Sequence, residues 1–175
     1  MFQIINKENI NNKDNYNRTP LFLAVINYDF ELAKELLDLG ADPNIACREE
    51  NATSLHVLCE RNNPEMVKLI IKSYNGNINS NNILGNSLLH YAAYGVVDNI
   101  ANLNDIDSIN EIDINNYSLM IWLIDKGLDP YKRNNEGHTP QDILNNYCYY
   151  IGDKYEIILK NLHYDIQKPK MCSCF

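Results

Sequence analysis

Histidine and cysteine are the residue types in this chain that could supply a base, a nucleophile or a metal ligand. The 175-residue chain has four histidines and five cysteines, and Cys47, His56 and Cys59 lie close together. A zinc site needs three or four such ligands that converge on a tetrahedron. Cys59 lies in the apolar run LHVLC, where a free cysteine packs as a small hydrophobic side chain. The pattern favours buried structural cysteines, and we expect no metal.

Acidic residues alternate with isoleucine in the stretch DIDSINEID, which begins at Asp105. An EF-hand calcium loop also spaces acids in this way, but it needs a central glycine for its sharp turn. The stretch lacks this glycine, and the chain has no glycine-rich phosphate loop, nucleophile elbow or paired His-Glu motif. We therefore expect no catalytic residues, no cofactor and no enzymatic activity.

The C-terminal residues CSCF place a cysteine at the position that prenylation requires. A C-a-a-X ending directs prenylation of its cysteine, here Cys172, and a terminal phenylalanine favours the geranylgeranyl group. The two middle residues are usually aliphatic, whereas Ser173 and Cys174 are not. Lys168 and Lys170 supply a weak basic signal upstream. Lipidation, other thiol chemistry and a tail without a role all stay open.

Composition limits the class of protein and the class of partner. The net charge of −8 and the pI of about 4.9 oppose binding to phosphate backbones, so we expect no nucleic-acid partner. No apolar stretch reaches the roughly 18 residues that span a bilayer, and the N-terminus lacks a signal-peptide pattern. An odd number of irregularly spaced cysteines indicates a reducing compartment. We expect a cytoplasmic protein.

A unit of about 34 residues repeats along the chain. The hydroxyl residues Thr19, Thr53, Ser87 and Thr139 occupy matching positions, separated by 34, 34 and 52 residues. Two positions before each stands an Asn or Gly, which tolerates the positive φ of a tight turn. The hydroxyl can then cap a helix, and Pro20 fits the first helical position. Each unit is thus predicted to begin with a turn and a short apolar helix.

A second helix is predicted after the first in each unit. In FELAKELLDLG, the residues Phe30, Leu32, Ala33, Leu36 and Leu37 recur at helical spacing and form one apolar stripe. The glycine that follows is a typical helix stop. The matching segments are PEMVKLIIKSYNG and YSLMIWLIDKG, the second of which contains Trp122, predicted to lie in the core.

These units resemble the ankyrin repeat in TPLFLA with LLDLGADPN, in TSLHVL, in SLLHYAA with LIDKGLDPY, and in EGHTPQDIL. The likeness covers residues 14–147. The chain resembles in particular the ankyrin-repeat proteins of large DNA viruses or intracellular bacteria, and its Asn-rich composition fits either source. It implies an all-α solenoid of about four repeats with degenerate ends, over residues 1–163, followed by a tail at 164–175. It also implies that His56 and His90 are core histidines that hydrogen bond within and between turns.

The third unit carries an insertion at about residues 96–115. This segment has five acidic residues and no basic one, and loops on rigid scaffolds often carry function. It is either an acidic lobe that meets a basic partner or a solvated helix or loop whose isoleucines, such as Ile106 and Ile109, pack on the array. The sequence leaves both alternatives open.

The resemblance implies a monomeric scaffold that binds a protein partner through its concave face. The partner-binding residues expected from position are the variable residues of the turns and the exposed ends of the first helices: Tyr16, Arg18, Glu49, Glu50, Glu60, Arg61, Ile83, Leu84, Asn86, Tyr94, Glu136 and His138. Two functions fit this reading. One is a soluble inhibitor or decoy of a host or cellular protein, in the host cytoplasm if the source is a pathogen. The alternative is a membrane-tethered adaptor or effector lipidated at Cys172.

Overall fold

The computed structural model describes residues 7–47, 50–101 and 117–147, without the side chains of 99–101 and 147. Within these ranges the regular structure is entirely α-helical, apart from two isolated β-bridges. The seven helices are α1 (Pro20–Ile26), α2 (Phe30–Asp38), α3 (Ser54–Glu60), α4 (Pro64–Ser73), α5 (Leu88–Ala101), α6 (Ser118–Asp125) and α7 (Pro140–Tyr147). They confirm the predicted all-α repeat of paired helices.

The first helix of each unit begins directly after the predicted hydroxyl residue. Thr19 is the N-cap of α1, and its side chain accepts a hydrogen bond from the Phe22 N–H at 3.2 Å. Thr139 does the same for Asp142 at the start of α7, at 3.1 Å. Each bond satisfies one of the backbone donors that a helix N-terminus leaves unpaired. The sequence signal for these helix starts is confirmed.

The second helices of the first two units are capped by a different residue type. Asp29 caps α2 by accepting from the Leu32 N–H at 3.1 Å, and Asn63 caps α4 by accepting from the Met66 N–H at 3.0 Å. The residue before each cap, Tyr28 or Asn62, has a positive φ and turns the chain between the two helices of its unit. This turn separates the first helix from the second.

The apolar stripe of α2 is narrower than predicted. Ala33, Leu36 and Leu37 are buried, but Phe30 is only half-buried and Leu32 is exposed. Gly40 follows the helix with a φ of 101°, which confirms the predicted stop. The core of the array is therefore formed by the inward positions of each helix rather than by every apolar residue.

The first helices pack against one another in a row, and each second helix packs on the first helix of its own unit. Thus α1 contacts α3, α3 contacts α5 and α5 contacts α7, while α2, α4 and α6 contact α1, α3 and α5. The largest fully buried side chains lie mainly on the first helices, and include Phe22, Leu55, Leu58, Leu88 and Leu89. One continuous core thus runs through the units, as expected where no unit can bury its apolar face alone.

The first helix of the third unit is twice as long as those of the first two units. It has 14 residues, against seven in α1 and seven in α3, and it continues through Ala101. The predicted insertion at 96–115 therefore begins as a continuation of α5, and its residues 102–115 lie outside the described ranges. The reason is local: Val96, which is buried, occupies the position of Tyr28 and Asn62, and a β-branched residue strongly disfavours the positive φ of a helix stop. None of the described helices is long and apolar enough to cross a membrane.

The residues that precede the first unit form the same kind of hydrogen bond with it as the first unit forms with the second. The Asn44 side chain accepts from the Asn77 N–H at 2.7 Å, and the Asn11 side chain accepts from the Asp42 N–H at 2.9 Å. Ile10 is buried beside this contact. The predicted degenerate N-terminal end of the array therefore makes the same kind of contact as a repeat. The predicted boundary between residues 163 and 164 lies outside the described residues.

Candidate functional site

The turn that opens each unit is a hairpin whose first residue holds the backbone from within. We call residues 14–18, 82–86 and 134–138 the tips of units one, three and four; the tip of unit two, 48–52, is described only from Glu50. In the third tip the Asn82 carboxamide oxygen accepts from the N–H groups of Leu84 at 3.0 Å and Asn86 at 2.9 Å. Asp14 and Asn134 make the same pair of bonds in their tips. The tips are therefore internally fixed, a role of these residues that the sequence reading missed.

Neighbouring tips are joined by backbone hydrogen bonds. The Ile83 N–H donates to the Glu50 carbonyl at 2.9 Å, and the Asn135 N–H donates to the Leu84 carbonyl at 2.9 Å. The Asn135 side chain also donates to the Ile83 carbonyl at 2.9 Å. The tips of units two, three and four therefore form one bonded row, with the third tip held on both sides.

Three of the predicted partner-binding residues are large apolar or aromatic side chains that lie open to solvent. Tyr16 is 74% exposed, Ile83 54% and Leu84 44%. The Arg18 guanidinium lies 4.8 Å from the Tyr16 ring centroid and also binds the Asp14 carboxylate at 2.7 Å, which lowers the pKa of Asp14. Arg18 is half-buried, so it supports its own tip and has only part of its surface available.

The predicted charged residues of the tips flank this apolar surface. Glu50 is exposed, and so is Glu136, whose carboxylate lies 3.4 Å from Nδ1 of His138. His138 is half-buried, and its carbonyl accepts a hydrogen bond from another unit. Glu49 lies outside the described residues. The described tips thus present acidic side chains on both sides of the exposed Ile83 and Leu84.

Asn86 differs from its predicted role. The prediction placed its side chain among the exposed tip residues, but it is only 6% exposed. Its carboxamide oxygen accepts a 2.8 Å hydrogen bond from the Asn134 side chain of the next tip. Because a buried, bonded amide cannot meet a partner without breaking this contact, Asn86 belongs to the scaffold of the row and not to its binding surface.

The predicted residues at the ends of the first helices form a second group. Glu60, Arg61 and Tyr94 are each half-buried, and the Tyr94 ring lies edge-on to Tyr91 with centroids 6.2 Å apart. The Arg61 guanidinium lies 3.9 Å from the ring centroid of Tyr28, which is 61% exposed. Tyr28 was missed by the sequence reading. Its position one period before Asn62, a turn residue, is the signal that could have found it.

His90 confirms the predicted structural role of the repeat histidines. Its Nδ1 lies 2.8 Å from the Ser87 hydroxyl within its own unit, and its Nε2 lies 3.0 Å from the His138 carbonyl of the next unit. Burial lowers the pKa of the ring, so its neutral form is favoured. A neutral imidazole that is bonded at both nitrogens joins two repeats and leaves no lone pair for catalysis.

His56 occupies the same position one unit earlier. Its Nδ1 accepts from the Thr53 N–H at 3.1 Å and lies 2.9 Å from the Thr53 hydroxyl. Burial lowers its pKa to about 4, while the backbone carbonyls of Asn86 and Ser80, which lie towards the ring, partly oppose that shift. Its Nε2 does not reach either carbonyl in good hydrogen-bonding geometry. The predicted burial of His56 and its hydrogen bond within its own turn are confirmed, but within the described ranges the predicted bond to a neighbouring turn is not formed.

The described cysteines are buried in the core. Cys47 and Cys59 are both free thiols at 0% exposure, and burial raises the pKa of Cys59. A raised pKa favours the thiol over the thiolate that binds metals and attacks electrophiles. Among the described residues no group of three or more His, Cys, Asp or Glu side chains converges as a metal site. The other three cysteines, Cys172 among them, lie outside the described ranges.

Trp122 lies at the edge of the core and not within it as predicted. The ring is only partly buried, and the ammonium groups of Lys68 and Lys126 lie 5.9 and 5.7 Å from its centroid. The indole thus packs partly against the core and also lies within cation–π distance of two lysine side chains.

Comparison with known proteins places these units in a family. A family model described as ankyrin repeats, in three copies, matches residues 29–115. This match covers the second helix of the first unit, both helices of the second unit and the first helix of the third. Ankyrin repeats are protein–protein interaction modules and are in general not enzymes.

The relatives include proteins of large DNA viruses. An ankyrin repeat protein of Acanthamoeba polyphaga mimivirus is 26% identical over 160 residues, which is 83% of this chain and 25% of that protein. An ankyrin repeat protein of fowlpox virus is 31% identical over 87% of this chain and 22% of its own length. A Caenorhabditis elegans protein that contains ankyrin repeats is 30% identical over 71% of this chain and 20% of its own length. The chain therefore spans about a quarter or less of the length of these curated relatives.

Proposed function

The chain belongs to the ankyrin-repeat family, and from that premise we propose that it binds a protein partner through its row of tips and the exposed ends of its first helices. The surface in the proposal consists of the predicted residues that the structure leaves accessible: Tyr16, Arg18, Glu50, Glu60, Arg61, Ile83, Leu84, Tyr94, Glu136 and His138. Asn86 is left out of the surface because it is buried. Glu49 stays in the proposal on sequence alone.

The observation that carries the proposal is the exposure of Ile83 and Leu84 on a rigid support. Two adjacent aliphatic side chains, 54% and 44% exposed, stand on the one described tip that is bonded to a neighbour on each side. A surface that is already fixed loses little conformational entropy when a partner covers it. Exposed apolar side chains also contribute to binding free energy when a partner removes them from water.

A comparison of three forms of the full chain tests the proposal. Ile83→Ser/Leu84→Ser removes the two aliphatic side chains, and Leu39→Ser is the matched control because Leu39 is 47% exposed at the end of α2 and belongs to none of the tips. We expect a partner recovered from cells to bind the unmutated chain and the control with equal affinity. The double variant should bind it roughly 10- to 100-fold more weakly, as expected for loss of two partly buried aliphatic contacts.

Calorimetric titration with the purified partner measures these affinities, and circular dichroism shows whether each variant keeps its helices. A double variant that keeps its fold and binds the partner as tightly as the control would remove the tips from the proposed binding surface. Loss of binding in the Leu39→Ser control would point instead to the second helices.

We further propose that the partner is a host protein and that the chain acts on it as a soluble inhibitor or decoy in the host cytoplasm. This proposal is supported by two of the named relatives, which are ankyrin repeat proteins of viruses. Expression of the full chain in host cells, with fractionation and identification of tip-dependent partners, tests it. Recovery of no tip-dependent partner from the soluble fraction of those cells would overturn it.

The alternative is a membrane-tethered adaptor or effector, and it is supported by the CSCF sequence alone. A prenyl group on Cys172 would hold the array at a membrane surface. The mass and membrane fraction of the full chain made in eukaryotic cells, beside Cys172→Ser, test this alternative. A prenyl mass and membrane association that both depend on Cys172 would support it, and a bare mass with no difference between the two proteins would exclude it.

A further inference from the structure

The charges that surround the exposed aliphatic pair indicate what kind of partner segment fits the tips. We infer that the segment bound by the tips carries a bulky apolar residue with lysine or arginine on both sides of it. This inference rests on the proposed function, because it names the chemistry of the partner that the same tips would bind.

Matching positions of the tips place two carboxylates on either side of one leucine. Glu50, Leu84 and Glu136 occupy the same position in the hairpins of units two, three and four. Backbone hydrogen bonds join these hairpins in that order, from the Ile83 N–H to the Glu50 carbonyl and from the Asn135 N–H to the Leu84 carbonyl. The row therefore presents an acidic, an apolar and an acidic side chain in sequence, each exposed to solvent.

Three basic side chains near the described tips have hydrogen-bond or ion-pair acceptors. Arg18 binds the Asp14 carboxylate on the tip of unit one. Lys132 donates to the Asn81 side chain at 2.8 Å, and Arg133 lies 3.6 Å from the Asp142 carboxylate. Arg18 and Arg133 therefore lie against carboxylates other than Glu50 and Glu136, and Lys132 is held at Asn81.

The two tip carboxylates are less well compensated. No described lysine or arginine forms an ion pair with Glu50 or Glu136, and Glu136 lies 3.4 Å from the imidazole of His138. Glu136 keeps 65% of its side chain exposed in spite of that contact. Among the described residues, the row therefore presents on each side of Leu84 an exposed carboxylate that forms no ion pair with lysine or arginine.

A partner that covers Leu84 must also approach these carboxylates. A neutral or acidic segment would strip water from two carboxylates without replacing their favourable contacts. A segment with a basic residue on each side would instead pair with them and would be steered to the tips by long-range attraction. The overall charge of −8 acts in the same direction.

Selection from a library of random linear peptides tests the inference without knowledge of the natural partner. Peptides are selected on the full chain and counter-selected on Ile83→Ser/Leu84→Ser, so that only tip-dependent binders remain. We expect these peptides to carry lysine or arginine on both sides of a bulky apolar residue. Their binding should also weaken as salt is added, since the carboxylates are exposed.

A charge reversal gives the sharper measurement. Glu50→Lys/Glu136→Lys should weaken a selected peptide at least about tenfold and should itself select peptides with acidic flanks. Glu31→Lys/Glu35→Lys makes the same change of net charge on exposed positions of α2 and should leave the affinity nearly unchanged. Both variants alter exposed side chains only, and the tip bonds use the backbone carbonyl of Glu50, so both should fold.

Each outcome separates the inference from the proposed function. Tip-dependent peptides with no excess of basic flanks, or equal weakening by the two charge-reversal variants, would overturn the inference while the tips remain a binding surface. If no selected peptide depends on Ile83 and Leu84, both the inference and the tip surface of the proposed function are overturned.

Discussion

Gly95 gives the most discriminating test of how the helices pack, because two physical effects predict opposite signs for its substitution. Gly95 lies inside α5, where helix propensity alone predicts that Gly95→Ala stabilises the protein by about 1 kcal/mol. A Cβ at this position, however, would lie 2.3 Å from the Glu60 carbonyl oxygen and 2.9 Å from the Cys59 carbonyl oxygen. The glycine therefore permits α5 to pass very close to the end of α3.

The size of the clash sets the expected loss. An ordinary contact of a Cβ is at least 3.4 Å, so α5 and the end of α3 must separate by about 1 Å to accept alanine. Both obstructing groups belong to the backbone, so no side-chain rotation relieves the clash. Overpacking of this kind costs about 1–3 kcal/mol, and occasionally more, in a well-packed core. Separation of α3 from α5 also loosens Leu58 and Leu89, so we expect a net destabilisation of about 2 kcal/mol after the gain in helix propensity.

Urea unfolding of the full chain, followed by far-UV circular dichroism, measures this difference. In a thermal melt of the same chain, a loss of about 2 kcal/mol corresponds to a fall in Tm of roughly 4–8 °C for a protein of this size. Gly137→Ala is a useful control, because Gly137 has a φ of 84° but open space around its Cβ position. Any loss of stability in this variant therefore comes from backbone strain alone. Glu60→Ala should not rescue Gly95→Ala, since the clash is with the backbone. An unchanged or higher midpoint for Gly95→Ala would refute the close approach of α5 to α3.

Three further outcomes follow from buried polar and thiol groups. Burial lowers the pKa of His56 from 6.5 to about 4, so the neutral ring contributes fully above pH 6.5, and about 3 kcal/mol is lost as the pH falls from 6.5 to 4. Between pH 6.5 and pH 4 the free energy of unfolding should fall by about 3 kcal/mol less for His56→Gln than for the unmutated chain. An equal dependence of this free energy on pH in the two proteins would contradict the lowered pKa of His56. Asn82→Ala should cost about 2–4 kcal/mol in urea unfolding because two tip N–H groups lose their acceptor, whereas Asn82→Asp keeps the acceptor and should cost less. Cys47 and Cys59 should resist alkylation in the native chain and react in denaturant, as read by peptide mass spectrometry; rapid native labelling of either would contradict its burial.

The repeat and its helices could be predicted from the sequence because their causes are local. A residue that tolerates positive φ, a hydroxyl two positions later and a short apolar run are sufficient to start each first helix, as at Asn17 and Thr19. The glycine that ends α2 is equally local. The longer first helix of the third unit could have been predicted in the same way, because Val96 replaces the turn residue found at Tyr28 and Asn62. The sequence analysis instead predicted that the insertion begins at this position.

The surface could be predicted only in part. A period of 34 residues identifies which positions repeat, and it correctly placed Ile83 and Leu84 on an exposed tip. Whether a polar residue at such a position is free depends on the neighbouring tip, which lies far away in sequence. Asn86 is buried because Asn134, 48 residues later, donates to its side chain, a contact that no local pattern contains.

The sequence by itself thus determined the family, the order of the helices and the positions of the turns, because turn, cap and apolar period act over a few residues. Only the tertiary structure decided which tip residues face solvent, how closely α5 approaches α3 at Gly95, and how Arg61 comes to lie on Tyr28. These features arise from contacts between different units. Their geometry depends on how side chains and backbone from separate repeats fit together, and that fit is set by the stacking of the whole array.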